Sequence, residues 1–127
     1  MRVSKSLVIE TASKRADKQG LNNLSLKAVA EKLNVRTPSL YNHIESLDDL
    51  LREVAHKGMR SMNEQMAQAA IGKSGNTALK GISVEYLNFI IEHPGVYETI
   101  QWATWHGTNE TAQIFENYIK ILSTIIS

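Results

Sequence analysis

The residues best equipped for chemistry lie at positions 36 to 43, in the order RTPSLYNH. Arg36, Thr37, Ser39, Tyr41, Asn42 and His43 can all hydrogen-bond to phosphates or to the edges of bases. The segment reads as a helix of barely two turns, and a core helix that short would be apolar. Nothing in the chain competes as a catalytic constellation. There is no metal-spaced His pair, no Gly-rich phosphate loop and no Gly-x-Ser-x-Gly elbow, and His93 and His106 have no obvious acid partner in the sequence. No enzymatic activity, cofactor or metal is therefore expected.

The elements that must position these residues are all helices, because apolar residues recur at three and four and period-two alternation is absent. The expected class is all-α, with six or seven helices. The first spans about Ser4 to Gln19, with Val8, Ile9, Ala12 and Ala16 as its apolar stripe and Gly20 as its stop. Ser25 caps the second, Leu24 and Val29 have hydrophobic-staple spacing, and Asn34 ends it as a residue that tolerates positive φ. The third opens with Thr37 as N-cap and Pro38 at the first helical position, and closes near Ile44. Ser46 caps a long fourth helix reaching about Ala69, with Asp48 and Asp49 in its first turn.

Helix, turn (Asn34-Val35-Arg36) and helix is the helix-turn-helix arrangement. Val35 and Leu40 are expected to join the two helices, while Leu33 and Ile44 face the first and fourth. The polar set is then left outside, where a helix fits a DNA major groove. The competing reading is an ordinary solvated helix.

Charge is divided unevenly. Residues 1–60 hold 11 Lys/Arg against 7 Asp/Glu, whereas residues 61–127 hold 3 against 6. That asymmetry suits a polyanion-facing first half. There is no Cys among the 127 residues, which excludes a disulfide scaffold and fits a reducing compartment. No apolar run of membrane-spanning length and no signal peptide is read, so a cytoplasmic chain without membrane association is expected.

The stretch SLKAVAEKLNVRTPSLYNHIESLDDLL resembles the DNA-binding helices of the tetracycline-repressor (TetR) family of transcription regulators, over roughly residues 5–57. TWHG at 104–107 is similar to the Trp-His-Gly signature of a C-terminal domain in one branch of that family. The resemblance implies a homodimeric repressor that binds a near-palindromic operator and releases it when a small-molecule effector enters the C-terminal domain. Carried over by position, Lys27, Tyr41 and His43 match phosphate contacts, and Thr37, Pro38, Ser39 and Asn42 match the base-facing side. Ser25 belongs to the same DNA-facing set, and Arg36 lies in the turn, where the family varies. A Lys that many members place near the start of the fourth helix is Leu47 here, so one phosphate contact is expected to be missing. Lys27, Arg36 or the arm with Arg2 and Lys5 would compensate.

The domain reading is 1–48 for the DNA-binding unit, 49–70 for a connecting helix and 71–127 for part of an effector-binding and dimerisation domain, with AIGKSGN (70–76) as the joint. Helices are expected from about Thr77 (Leu79, Ile82, Tyr86, Phe89, Ile90), after Pro94-Gly95 to His106, and from near Asn109 (Phe115, Tyr118, Ile119, Leu122, Ile125, Ile126). Tyr86, Phe89, Tyr97, Trp102, Trp105 and His106 are the candidates for an effector pocket. Plain bundle core is the alternative for each, and His106 also suits a helix end. The apolar ending ILSTIIS suggests a fragment of a longer protein or an unusual dimer surface. A helical protein–protein interaction module is the competing function.

Overall fold

The structure is a computed structural model that describes residues 2–126. Seven α-helices and one 3₁₀ turn make up the described chain, and no strand occurs among the described residues. α1 (Lys5–Gln19) begins where the Ser4 hydroxyl accepts the Leu7 N–H at 3.1 Å. It buries Val8, Ile9, Ala12 and Ala16, the stripe expected from spacing. Gly20 (φ 83°) turns the chain into the 3₁₀ turn Leu21–Asn23.

α2 (Leu26–Lys32) starts at Ser25, whose hydroxyl accepts the Ala28 N–H at 3.1 Å. Leu24 and Val29 are both buried, consistent with the staple. Asn34 takes φ 58°, the one positive φ at a non-glycine among the described residues. α3 is shorter than the sequence suggested: Thr37–Leu40 is α-helical, and residues 41–43 continue as turn. Arg36, not Thr37, stands at the cap, and no side chain caps the helix. Pro38 fixes φ in the first turn, but Thr37 is already helical. A hydrogen bond from Ile44 N–H to the Leu40 carbonyl (3.1 Å) closes the turn and tucks Ile44 inside.

α4 (Leu47–Ala70) is the spine. At 1.5 Å per residue it runs about 36 Å. The Ser46 hydroxyl accepts the Asp49 N–H at 3.0 Å, and the Asp49 carboxylate accepts the Glu45 N–H at 2.8 Å, a reciprocal cap. Leu50, Leu51, Val54, Met62 and Met66 share one continuous core with Val8, Val29, Leu40, Ile82, Phe89 and Val96. α4 thereby joins the helix-turn-helix end to the bundle formed by α5 (Gly75–Glu92), α6 (Pro94–His106) and α7 (Asn109–Ile126), against which it packs most extensively.

Several expectations shift in the second half. α5 begins at Gly75, and its buried positions are Ala78, Ile82 and Phe89, while Leu79 is exposed. On α7, Ile114 is buried, whereas Phe115 and Ile119 are exposed. The side chains of Ile125 and Ile126 lie outside the described residues. The break read at Pro94-Gly95 falls between Glu92 and Pro94, and Gly95 also serves a close approach: a Cβ there would overlap the Ala16 carbonyl and the Asp17 nitrogen. α6 thus presses its first turn onto the backbone of α1. No described helix is long and apolar enough to cross a membrane.

Candidate nucleic-acid interface

The outward face of the helix-turn-helix is built by burying its aliphatic members. Leu40 is fully buried, Ile44 and Leu33 nearly so, and Val35 packs against the core. With those fixed, helix geometry directs the remaining side chains out. Arg36, Pro38, Ser39, Tyr41 and Asn42 are exposed, while Thr37 and His43 are half-buried. Tyr41 keeps 54% of its surface exposed, unusual for a ring that could have packed inward. Lys27 projects from α2, and Ser25 beside it is half-buried with its oxygen already engaged as a cap. A hydroxyl in that role still has its O–H to donate.

The side chains of Lys27, Arg36, Ser39, Tyr41, Asn42 and His43 make no hydrogen bond or ion pair within the described residues. Several polar side chains elsewhere are engaged, whereas others, such as Lys57, Glu64, Lys80 and Glu116, are solvated without a partner among the described residues. Asp17 accepts Val96 N–H with one oxygen and meets His93 Nδ1 with the other, both at 2.8 Å. Arg60 bonds Glu110, Arg52 reaches the His106 carbonyl at 3.3 Å, and Lys5 lies 3.6 Å from Glu53. Leu47, at the position lacking the Lys, packs against the core and offers no charge.

The aromatic candidates of the second half do not converge. Tyr86 and Tyr97 share a hydroxyl–hydroxyl hydrogen bond of 2.9 Å and line a cavity of about 230 Å³ between α4, α5, α6 and α7, together with Met59, Met62, Phe115 and Tyr118. Hydrogen bonding to Tyr97, reinforced by burial, raises the Tyr86 phenol to about 12. Asn63 also borders this cavity. Its amide donates to the Ile114 carbonyl at 3.3 Å, and its buried Oδ1 has no partner. Phe89 is instead buried beside His93, below a separate depression at the α1–α4–α6 junction. Trp105 is 85% exposed. Trp102 stacks on His106 at 4.7 Å, and His106 Nδ1 meets the Trp102 carbonyl at 3.0 Å, which makes His106 a helix-end residue.

Two polar arrangements had no counterpart in the sequence reading. His93, which showed no acid partner there, has Asp17 from 76 positions away. His56, passed over inside the apolar stripe of α4, is 2% exposed and bonds the Thr111 hydroxyl of α7. The spacing Glu53-x-x-His56, one helical turn, was the available signal. Burial holds the His56 imidazole below its ordinary value, against the opposing pull of Glu110 and Glu53.

No protein-family model matches the chain. It is 38% identical over 96 residues to the uncharacterized HTH-type transcriptional regulator YobS of Bacillus subtilis (strain 168), covering 76% of this chain and 50% of that protein. It is 29% identical, also over 96 residues, to the uncharacterized HTH-type transcriptional regulator Rv0681 of Mycobacterium tuberculosis (strain ATCC 25618 / H37Rv), covering 76% of this chain and 44% of that one. The chain therefore spans about half the length of the curated relatives it matches. Among solved structures, the TetR family transcriptional regulator PfmR from Thermus thermophilus superposes with a TM-score of 0.74 at 18% identity, over 93% of this chain and 67% of that one. A possible TetR family transcriptional regulator from Streptomyces coelicolor A3(2) gives 0.67 at 18% identity, over 96% and 58%. Fold and sequence relatives thus agree with the resemblance carried by residues 5–57.

Proposed function

We infer that this chain, with the all-α fold of tetracycline-repressor-family regulators and helix-turn-helix regulators among its relatives, is a sequence-specific DNA-binding transcriptional regulator. The observation that carries the reading is the outward row on and around α3, where polar side chains stand without partners inside the protein. Asn42 supplies base readout, since Asn pairs bidentately with adenine, and Thr37, Pro38 and Ser39 share that side. Lys27, Arg36, Tyr41, His43 and the Ser25 hydroxyl hold phosphates and set the register. Residues 1–48 act as the reading head, α4 as the link, and 71–127 as the effector-binding part.

The regulator works as a cytoplasmic homodimer and a repressor on a near-palindromic operator, with two reading heads one helical turn of DNA apart. Its effector is a small, largely apolar molecule in the cavity beneath Tyr86 and Tyr97. The free Asn63 Oδ1 there favours a ligand that donates one hydrogen bond. α6, which lines that cavity, is joined to α1 by the close approach at Gly95 and the Val96 N–H to Asp17 hydrogen bond, a contact through which ligand occupancy would reach the helix-turn-helix unit.

Titrating the chain with duplex DNA at increasing salt tests the reading. Affinity should fall linearly on a log–log scale, with a slope of about −0.9 per phosphate neutralised. A flat response would instead favour a protein-binding surface. Thermal shifts against small apolar donors test the effector: a ligand of the folded state raises stability as RT ln(1 + [L]/Kd), and no shift from any ligand would leave a constitutive DNA-binding protein.

A further inference from the structure

Away from the DNA-facing surface, one cluster has the chemistry of a metal centre. α4 contributes Glu53 and His56, one turn apart, and the first turn of α7 contributes Glu110. One donor atom from each lies within 4.8 Å of the others. His56 is almost wholly buried, yet its Nδ1 has no hydrogen-bond partner, and Glu110 Oε2 stands off at 3.7 Å. Two ligands of a tetrahedral zinc, each about 2.0–2.1 Å from the ion, sit about 3.3 Å apart. The His56–Glu110 separation is slightly wider than that and the Glu53 donor lies within 4.8 Å of both, so the two carboxylates would move inward to close on an ion.

The surroundings are those of a held ligand set. Thr111 Oγ1 bonds the far ring nitrogen, Nε2, and is itself fixed by the Thr108 N–H at 3.0 Å. In the tautomer that donates Nε2–H to Thr111, the Nδ1 lone pair lies towards the Glu110 carboxylate, an unfavourable arrangement that a cation relieves. Arg60 takes Glu110 Oε1 and leaves Oε2 turned towards His56. Lys5, half-exposed and 3.6 Å from Glu53, is the charge such an ion would displace. One imidazole and two carboxylates suit a borderline divalent cation, with a fourth position open to water.

We propose that Glu53, His56 and Glu110 form a binding site for a divalent transition-metal cation of the zinc or cobalt class, which ties α4 to α7. The test uses tag-free, chelator-treated chain. Titration with Co²⁺ should give visible ligand-field absorption saturating at one ion per chain, and Zn²⁺ should displace it. Glu53→Gln and Glu110→Gln, both at partly exposed positions, should each weaken Co²⁺ at least tenfold while keeping wild-type circular dichroism. Zn²⁺ should raise the Tm of the wild type and not that of the double variant. His56→Asn should abolish binding, and the two Glu variants keep the test decisive if that buried change unfolds the chain. Absence of saturable binding to wild type, or a double variant that binds Co²⁺ as tightly, would overturn the proposal.

Discussion

In the proposed interface Asn42 reads a base and Lys27 holds a phosphate, so their removal should have different effects. A bidentate base contact discriminates by about 1–3 kcal/mol. Asn42→Ala should therefore narrow the gap between the preferred operator and its single-base variants by roughly ten- to hundredfold, a change read by competition binding. Lys27→Ala should weaken all duplexes alike and flatten the salt slope by about one unit. If Asn42→Ala retained the wild-type ranking of operators, Asn42 would not be a reading residue. The exposure of Asn42 and its neighbours was legible in the sequence because the aliphatic Val35, Leu40 and Ile44 fix which side of the short helix faces inward. His56 was not, since its partner Thr111 lies 55 positions away and nothing local marks which face of α7 meets α4. Asp17 and His93 were hidden for the same reason.

Helix starts and stops were read well where a side chain acts on its own neighbours. Ser25 and Ser46 cap as their spacing implied, because an N-cap bond spans only three residues. α3 was overextended, since Pro38 announces a helix but does not say how soon the burial of Ile44 will end it. Gly95 shows the same limit: its neighbour Pro94 suggested a break, and only the tertiary fold reveals α1 lying against it. Gly95→Ala should push α6 off α1 and cost about 1–3 kcal/mol, the usual range for overpacking, measured by urea unfolding. An unchanged midpoint would show that the two helices are not tightly joined. Between α5 and α6, the Tyr86–Tyr97 pair gives a spectroscopic handle. The Tyr86 phenol is raised from 10.0 to about 12, so the pair contributes fully below pH 10. Its contribution declines above that, where the unfolded chain loses its proton first. Ultraviolet titration should show one late-ionising tyrosine that moves back towards 10 in Tyr97→Phe.

At the scale of the whole molecule, α4 makes one body of two tasks. Its N-terminal turns pack beneath the helix-turn-helix, and Met59, Met62 and Asn63 further along it form a wall of the cavity beneath Tyr86 and Tyr97. One continuous core joins the two ends. The bundle also leaves Val84, Leu87 and Ile91 of α5 and Phe115 and Ile119 of α7 exposed. The all-α class and the helix order were evident from periodicity, whereas which apolar residues stay outside was not: Leu79, Phe115 and Ile119 have core-like spacing and are exposed. Periodicity identifies an apolar face without saying what covers it.

The most direct measurement is selection of random duplex DNA by this chain, with a Tyr41→Ala/Asn42→Ala double variant alongside. Enrichment of a two-fold symmetric site by the wild type, lost in the variant, is the predicted result. Failure to enrich any sequence at low salt and high protein concentration, even with two chains covalently linked, would contradict the assignment of α3 as a DNA-reading helix.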